Sequence, residues 1–336
     1  MQRSLLAAAL LVAAAFGPAG AQEPRSVPKA DVHVREAEKL AGSDLTPALR
    51  LCSPEGSRFI GQLQNTVLYE QIQPTKLFDN LFYVGNKFVG VFVLKTSAGL
   101  LLFDSGISAE DAQTNIAPGL RALGLDPKDV KYVIVTHGHW DHFGGSAWFQ
   151  KTSGARVGLS ATDWDLMKLP SVVVSSHTPE PPTRDLVIAD GQKLRLGDTE
   201  IAFYITPGHT PGPISAIFPV YEGGKRHVAS LLGGTAFPGT LEANERTGGL
   251  IAYQAAIERF SGLSRQAGAD VLLNTHLFAI GGVEWVDRAR AAGGGGPFVV
   301  GGKTVARYYA LLDQCLQSAQ ERVKAGTAAG AKASFY

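Results

Sequence analysis

The chain has 336 residues, 45% of them hydrophobic, and its 31 Lys+Arg nearly cancel its 30 Asp+Glu. That length suits one large core or two modest ones. The balanced charge, with no basic cluster and no aromatic–basic interleaving, excludes a partner such as nucleic acid chosen by bulk electrostatics.

Residues 1–21 carry one early positive charge, an apolar run from Ser4 to Phe16 and small residues ending at Ala21. This is the pattern of a secretory signal cleaved after Ala21. It predicts a periplasmic or secreted protein. No cysteine follows the apolar run, and no later apolar stretch is long enough to span a bilayer, so no membrane anchor is expected.

Residues 22–76 read as a polar extension with a helix near Val34–Ala41. From Leu77 short β-rich runs follow one another: LFDNLFYVG, KFVGVFVLKTS and GLLLFDSG. Helical spacing covers Ala109–Leu123, and Val130–Val135 is an apolar strand. A second round brings a strand at Arg156–Leu159, a helix at Ala161–Leu169 and a Pro-rich passage at 178–182. Asp185–Ile188 and Gln192–Leu196 suggest a hairpin turning at Asp190-Gly191. Strands follow at Ile201–Thr206, Ile214–Val220, His227–Leu232 and Val271–Asn274, with a helix at Ile251–Leu263. Residues 293–336 comprise a Gly-rich break, an amphipathic helix at Val305–Val323 and an Ala/Gly-rich tail expected to be disordered. Two sets of strands, each with helices outside, describe two packed sheets between helical layers, an α/β core over 77–292. Cys52 and Cys315 are the two cysteines. They either bridge the extension to the C-terminal helix in an oxidising compartment or remain buried thiols.

Three of the eight histidines fall in THGHWDHFGG, directly after the Val130–Val135 strand. His137 and His139 are two apart, so in extended backbone they point the same way and can share an ion. Asp141 and His142 follow at a different spacing and can turn towards a neighbouring position. His209, in TPGHTPG, and His276, in LLNTH, each end an apolar strand, where such folds gather their chemistry. Six candidate ligands divide into two sets of three. Three protein ligands with an open position suit catalytic zinc, whereas structural zinc has four and is closed. The lone histidines His33 and His227 read as surface or hydrogen-bonded core residues.

These motifs, T-H-x-H-x-D-H-x-G-G followed by G-H-T-P-G, resemble the metallo-β-lactamase superfamily from about Leu77 to Arg290. The resemblance implies an αββα sandwich and two Zn2+ ions. His137, His139 and His209 would bind the first, and Asp141, His142 and His276 the second. Asp104 would support the ligand-bearing loop. Many dinuclear relatives place a bridging aspartate, and some β-lactamases a cysteine, where this chain has Gly233-Gly234-Thr235. The remaining pattern is similar to subclass B3 of the β-lactamases. It implies a small-molecule substrate, a β-lactam whose amide is opened by attack of a metal-bound hydroxide that Asp141 orients. The alternative is a secreted dinuclear hydrolase of another lactone, ester or amide, favoured by the glycines at 233–234 and the apolar residues after His276. Ser215 is a candidate substrate contact or an ordinary strand serine, Trp140 shapes the pocket floor or packs under the loop, Phe278 and Ile280 line an apolar wall, and His177 is a rim residue or a solvated loop histidine. The sequence does not specify an oligomeric state.

Overall fold

The computed structural model describes residues 26–168, 179–237 and 249–326. The signal-like segment, His177 and the end of the tail lie outside those residues. Two sheets face each other. The first is hydrogen-bonded in chain order as β1 (Thr75–Lys76), β2 (Leu81–Gly85), β3 (Gly90–Thr96), β4 (Gly99–Phe103), β5 (Val130–Ile134), β6 (Arg156–Ser160) and β7 (Leu186–Ile188). It is an antiparallel meander as far as β4 and parallel from β4 to β7. The second contains β8 (Lys193–Leu196), β9 (Thr199–Ile205), β10 (Ile214–Glu222), β11 (Lys225–Leu231) and β12 (Val271–Leu273). Its strands are antiparallel except for the last pair, β11 and β12.

The helices are α1 (Pro28–Ala41), α2 (Pro54–Val67), α3 (Ala109–Asp111), α4 (Ala117–Ala122), α5 (Trp140–Phe143), α6 (Ser146–Ser153), α7 (Ala161–Leu166), α8 (Gly249–Gln266), α9 (Glu284–Ala292) and α10 (Gly302–Lys324). Helices α4 and α6 lie on the first sheet, and α10 packs on β12 and on α8. The layers are those of an αββα sandwich. Between the sheets Phe103 stacks on Phe218, with ring centroids 4.9 Å apart. Strands covered on both faces need apolar residues at nearly every position, and β2 and β4 have them.

One expectation needs correction. The Asp185–Leu196 segment is not a hairpin: β7 pairs with β6 in the first sheet and β8 with β9 in the second. The Asp190-Gly191 turn is where the chain changes sheets, and alternation along a strand carries no record of which neighbour it joins. The helix expected near Val34–Ala41 is the second half of α1. Helix α1 starts at Pro28, whose fixed φ and missing N–H suit a first helical position. Helix α2, absent from the sequence reading, begins with Pro54 after Ser53, whose hydroxyl accepts from the Gly56 N–H at 3.1 Å. Cys52 and Cys315 are bonded, which ties the extension to α10.

This topology gathers one edge of the sandwich. The C-terminal ends of parallel β4, β5 and β6 deliver Asp104, His137 and Ser160. The ends of β9, β11 and β12, which also run in one direction, deliver His209, Thr235 and His276. The sheets are joined there by Ile214 N–H to Thr136 C=O at 2.7 Å and Gly90 N–H to Thr275 C=O at 2.9 Å.

Candidate metal centre

All six residues predicted from the sequence converge at that edge, and all are buried. His137, His139 and His209 form one cluster and Asp141, His142 and His276 another. In the first, His209 Nε2 lies 3.0 Å from His137 Nε2 and 3.1 Å from His139 Nδ1. In the second, His142 Nε2 and His276 Nε2 are 3.0 Å apart, and Asp141 Oδ2 is 3.4 and 3.5 Å from them. Donors bound to a tetrahedral zinc at roughly 2.0–2.1 Å would stand about 3.3 Å from one another.

The far side of each ring settles which nitrogen faces inward. His209 Nδ1 is 2.7 Å from the Ala236 carbonyl, and His276 Nδ1 is 2.9 Å from the Phe88 carbonyl. A carbonyl only accepts, so both Nδ1 atoms carry the proton, and both Nε2 lone pairs point into the cluster. His142 Nδ1 lies 2.7 Å from Asp104 Oδ2, and His137 Nδ1 lies 3.2 Å from Thr136 Oγ1. Rings held from behind with their lone pairs converging are a cation site.

The electrostatics agree. Burial and the neighbouring imidazoles push His137 and His209 well below the ordinary histidine range, and burial with His142 takes His276 to about 4. Burial opposes a charge on His142 too, but the carboxylates of Asp141 and Asp104 outweigh it and raise the ring to about 10. Burial favours neutral Asp141, yet His142 and His276 prevail and hold its carboxyl well below the usual range.

Two buried aspartates hold the loops. Asp104 accepts from the Thr136 N–H at 2.6 Å and the Thr136 hydroxyl at 3.0 Å, besides meeting His142. It is the positive-φ non-glycine residue among those described, at φ 66°. Such a backbone costs on the order of 1–3 kcal/mol and persists where the surroundings impose it. Asp163, in the first turn of α7, accepts from the Gly138 N–H (2.9 Å), the Gly212 N–H (2.7 Å) and the Thr210 hydroxyl (2.6 Å). It thereby joins the loop of His137 and His139 to that of His209. Burial lifts its carboxyl to about 6 against those three donors. The sequence reading missed Asp163, whose partners lie far along the chain. It also missed Asn274, whose Oδ1 accepts from the His276 N–H at 2.9 Å and the Thr235 hydroxyl at 3.0 Å.

The glycine pair has a steric cause. A Cβ on Gly233 would meet the Ile214 carbonyl oxygen at 2.1 Å, and one on Gly234 would meet His209 Cβ at 2.7 Å. Gly234 also has φ +79°. No side chain fits at either glycine. Thr235 next to them does line the cavity.

Other expected contacts divide. Phe278 lines the cavity; Ile280 is buried and Trp140 partly buried, and neither is among the lining residues. Ser215 is fully buried on β10. Its hydroxyl lies 2.7 Å from Thr206 Oγ1 and accepts from the Gly233 N–H at 3.0 Å, so it braces the loop instead of lining the cavity. His227 pairs with Asp270 at 2.7 Å and His33 with Gln314 at 2.9 Å, both remote from the cluster.

A family profile described as the metallo-beta-lactamase superfamily matches residues 84–222. Among solved structures, the subclass B3 metallo-β-lactamase BJP-1 of Bradyrhizobium japonicum is similar at TM-score 0.65 and 25% identity, over 78% of this chain and 99% of that one. Residues 84–222 are a metallo-β-lactamase superfamily domain. A metallo-β-lactamase from Legionella gormanii shares the fold at TM-score 0.64 and 22% identity, over 76% of this chain and 98% of its own. Curated relatives by sequence carry a different name. A hydroxyacylglutathione hydrolase of Cereibacter sphaeroides is 29% identical over 39% of this chain. The chain spans about half the length of such relatives, 46% in that case. The matched domain is that of a metallohydrolase superfamily, and among the described residues no helix is long and apolar enough to cross a membrane.

Proposed function

We propose that the protein is an exported dizinc hydrolase that opens the amide bond of β-lactams. The observation that carries this reading is a pair of three-residue clusters beside Gly233 and Gly234, where a Cβ would clash and no side chain is present to bridge them. His137, His139 and His209 would hold one zinc, and Asp141, His142 and His276 the other. Bound there, the two ions supply Lewis acidity and a water of lowered pKa. The chain's own residues do the rest. Asp104, Thr136, Phe88 and Ala236 fix the ring tautomers from outside. Asp141, held ionised, accepts a hydrogen bond from the attacking water and orients it towards the carbonyl. Phe88, Phe237 and Phe278 exclude bulk water from the reacting bond. The Cys52–Cys315 bond supports export to an oxidising compartment.

Zinc-loaded protein incubated with a penicillin, a cephalosporin and a carbapenem tests the reading. Ring opening is expected, and its absence at micromolar enzyme sinks it. A second reading, hydrolysis of a thioester or other activated ester, is favoured by the named relatives and by the apolar lining of the cavity. Faster turnover of an acylated thiol than of any β-lactam would decide for it.

A further inference from the structure

The cavity over the two clusters is small, about 30 Å³. One lining residue does not belong to the sandwich: Ile60, on α2, is 4% exposed and lines the cavity with Phe88, Phe237 and Phe278.

Helix α2 is held at both ends. Its leading end follows Cys52, which is bonded to Cys315 on α10. The 3-10 turn Thr46–Cys52 packs on the turn Leu277–Ala279, directly after His276. Its trailing end is stitched to the loop after β2: Gln71 bridges Asn86, Ile72 N–H donates to Gly85 at 2.9 Å, and Lys87 N–H donates to Glu70 at 2.8 Å. The Asn86 side chain in turn accepts from the Phe88 and Val89 N–H groups. Phe88 is the residue whose carbonyl orients His276. One anchor thus contacts the turn after His276 and the other the loop whose Phe88 orients its ring, and Ile60, between them in sequence, lines the cavity at the metal centre.

We propose that α2 is a tethered wall of the active site and that Ile60 is its specificity-determining residue, admitting acyl donors whose group beside the scissile carbonyl is compact and apolar. This rests on the hydrolase reading above. A wall of this kind selects against bulky or charged substituents by steric and desolvation cost, since it offers the incoming group an alkyl surface with no hydrogen-bonding atom.

The test uses the full mature chain loaded with Co2+ or Zn2+. Dipicolinate, a small planar chelator, reports access without requiring turnover. The slope of metal extraction rate against dipicolinate concentration should rise about tenfold in Ile60→Ala, the scale of removing methylenes from an apolar pocket. It should fall in Ile60→Phe. Metal content and the Co2+ spectrum should match the parent. Cys52→Ser with Cys315→Ser, which frees the leading end, should also raise the slope. For substrates, the ratio of kcat/KM between a bulky and a compact acyl group should move in the same direction as the slope. An unchanged slope and ratio in folded Ile60→Ala overturns the wall. If nothing is hydrolysed yet the slope responds, the functional reading falls and the wall stands.

Discussion

The two halves of the centre are each held by one buried aspartate, in different ways. Asp104 grips a ligand ring itself, His142, at 2.7 Å. Asp163 touches no candidate ligand and grips backbone, through Gly138 and Gly212, on both sides of the other cluster. The half with a carboxylate among its ligands keeps a protonated histidine in the absence of metal, and the all-histidine half is neutral. Direct contact sets the charge of a ligand, whereas contact through the backbone sets only where ligands stand.

The largest separation between the halves should come from Asp104→Asn. Asparagine tolerates the positive φ and keeps the shape, so the loss is the charge and one of the two accepting oxygens. Metal affinity of the Asp141–His142–His276 half should fall about 10–100-fold, the range for removing a ligand's outer partner. The other half should change little. Competitive titration with a chromophoric chelator resolves the two steps, and equal losses in both would contradict the division.

Metal-binding proton release separates the halves next. His142 stays protonated up to about pH 10, so a cation entering its half at pH 7 must expel that proton. Affinity of this half should rise about tenfold per pH unit across the neutral range, and that of the all-histidine half should be flat. Calorimetry in buffers of different ionisation enthalpy should show about one proton released for one of the two equivalents. Protons released equally by both, or by neither, would refute the assignment.

Asp163 gives a smaller effect, in stability. Its carboxyl titrates near 6 in the folded protein against 3.8 as the reference. A raised folded value means that the native state binds the extra proton between those limits, so this group's contribution is complete below about pH 4 and lost as pH rises through 6. Burying the charge outweighs the three hydrogen bonds it receives, by roughly 3 kcal/mol. Asp163→Asn lacks this titration. The stability of the parent relative to the variant should therefore grow on acidification from pH 7 to pH 4, measured by denaturant unfolding of the metal-free forms. A constant difference would show that the charge at Asp163 is not the cause.

The contrast also explains how much of the site is legible in sequence. His137, His139, Asp141 and His142 stand together after an apolar strand, and His209 and His276 repeat that placement. Spacing and strand ends therefore reveal all six. Asp104 closes a readable strand. Asp163 sits in a plain helical turn, with partners 25, 47 and 49 residues away, and no local pattern joins them. Helix α2 has two glycines, and Ile60 becomes a lining residue only through a fold-level tether. The supposed hairpin at Asp190-Gly191 failed for the same reason: local alternation was correct and the partner strand was not local.

Ser215 provides the smallest expected effect and the finest distinction, between a residue that touches substrate and one that shapes the loop beside it. Its position six residues after His209 suits either role. In the structure its hydroxyl is used on both sides, by Thr206 at the end of β9 and by the Gly233 N–H. Ser215→Ala leaves a buried N–H and a buried hydroxyl without that partner, at about 1–3 kcal/mol. The loss should appear as a lowered Tm, with KM unchanged for any substrate the enzyme accepts. A several-fold rise in KM with unaltered stability would instead return Ser215 to the substrate. It would also require the Gly233 loop to move before substrate binds, because the hydroxyl has no path to the cavity while Gly233 holds it.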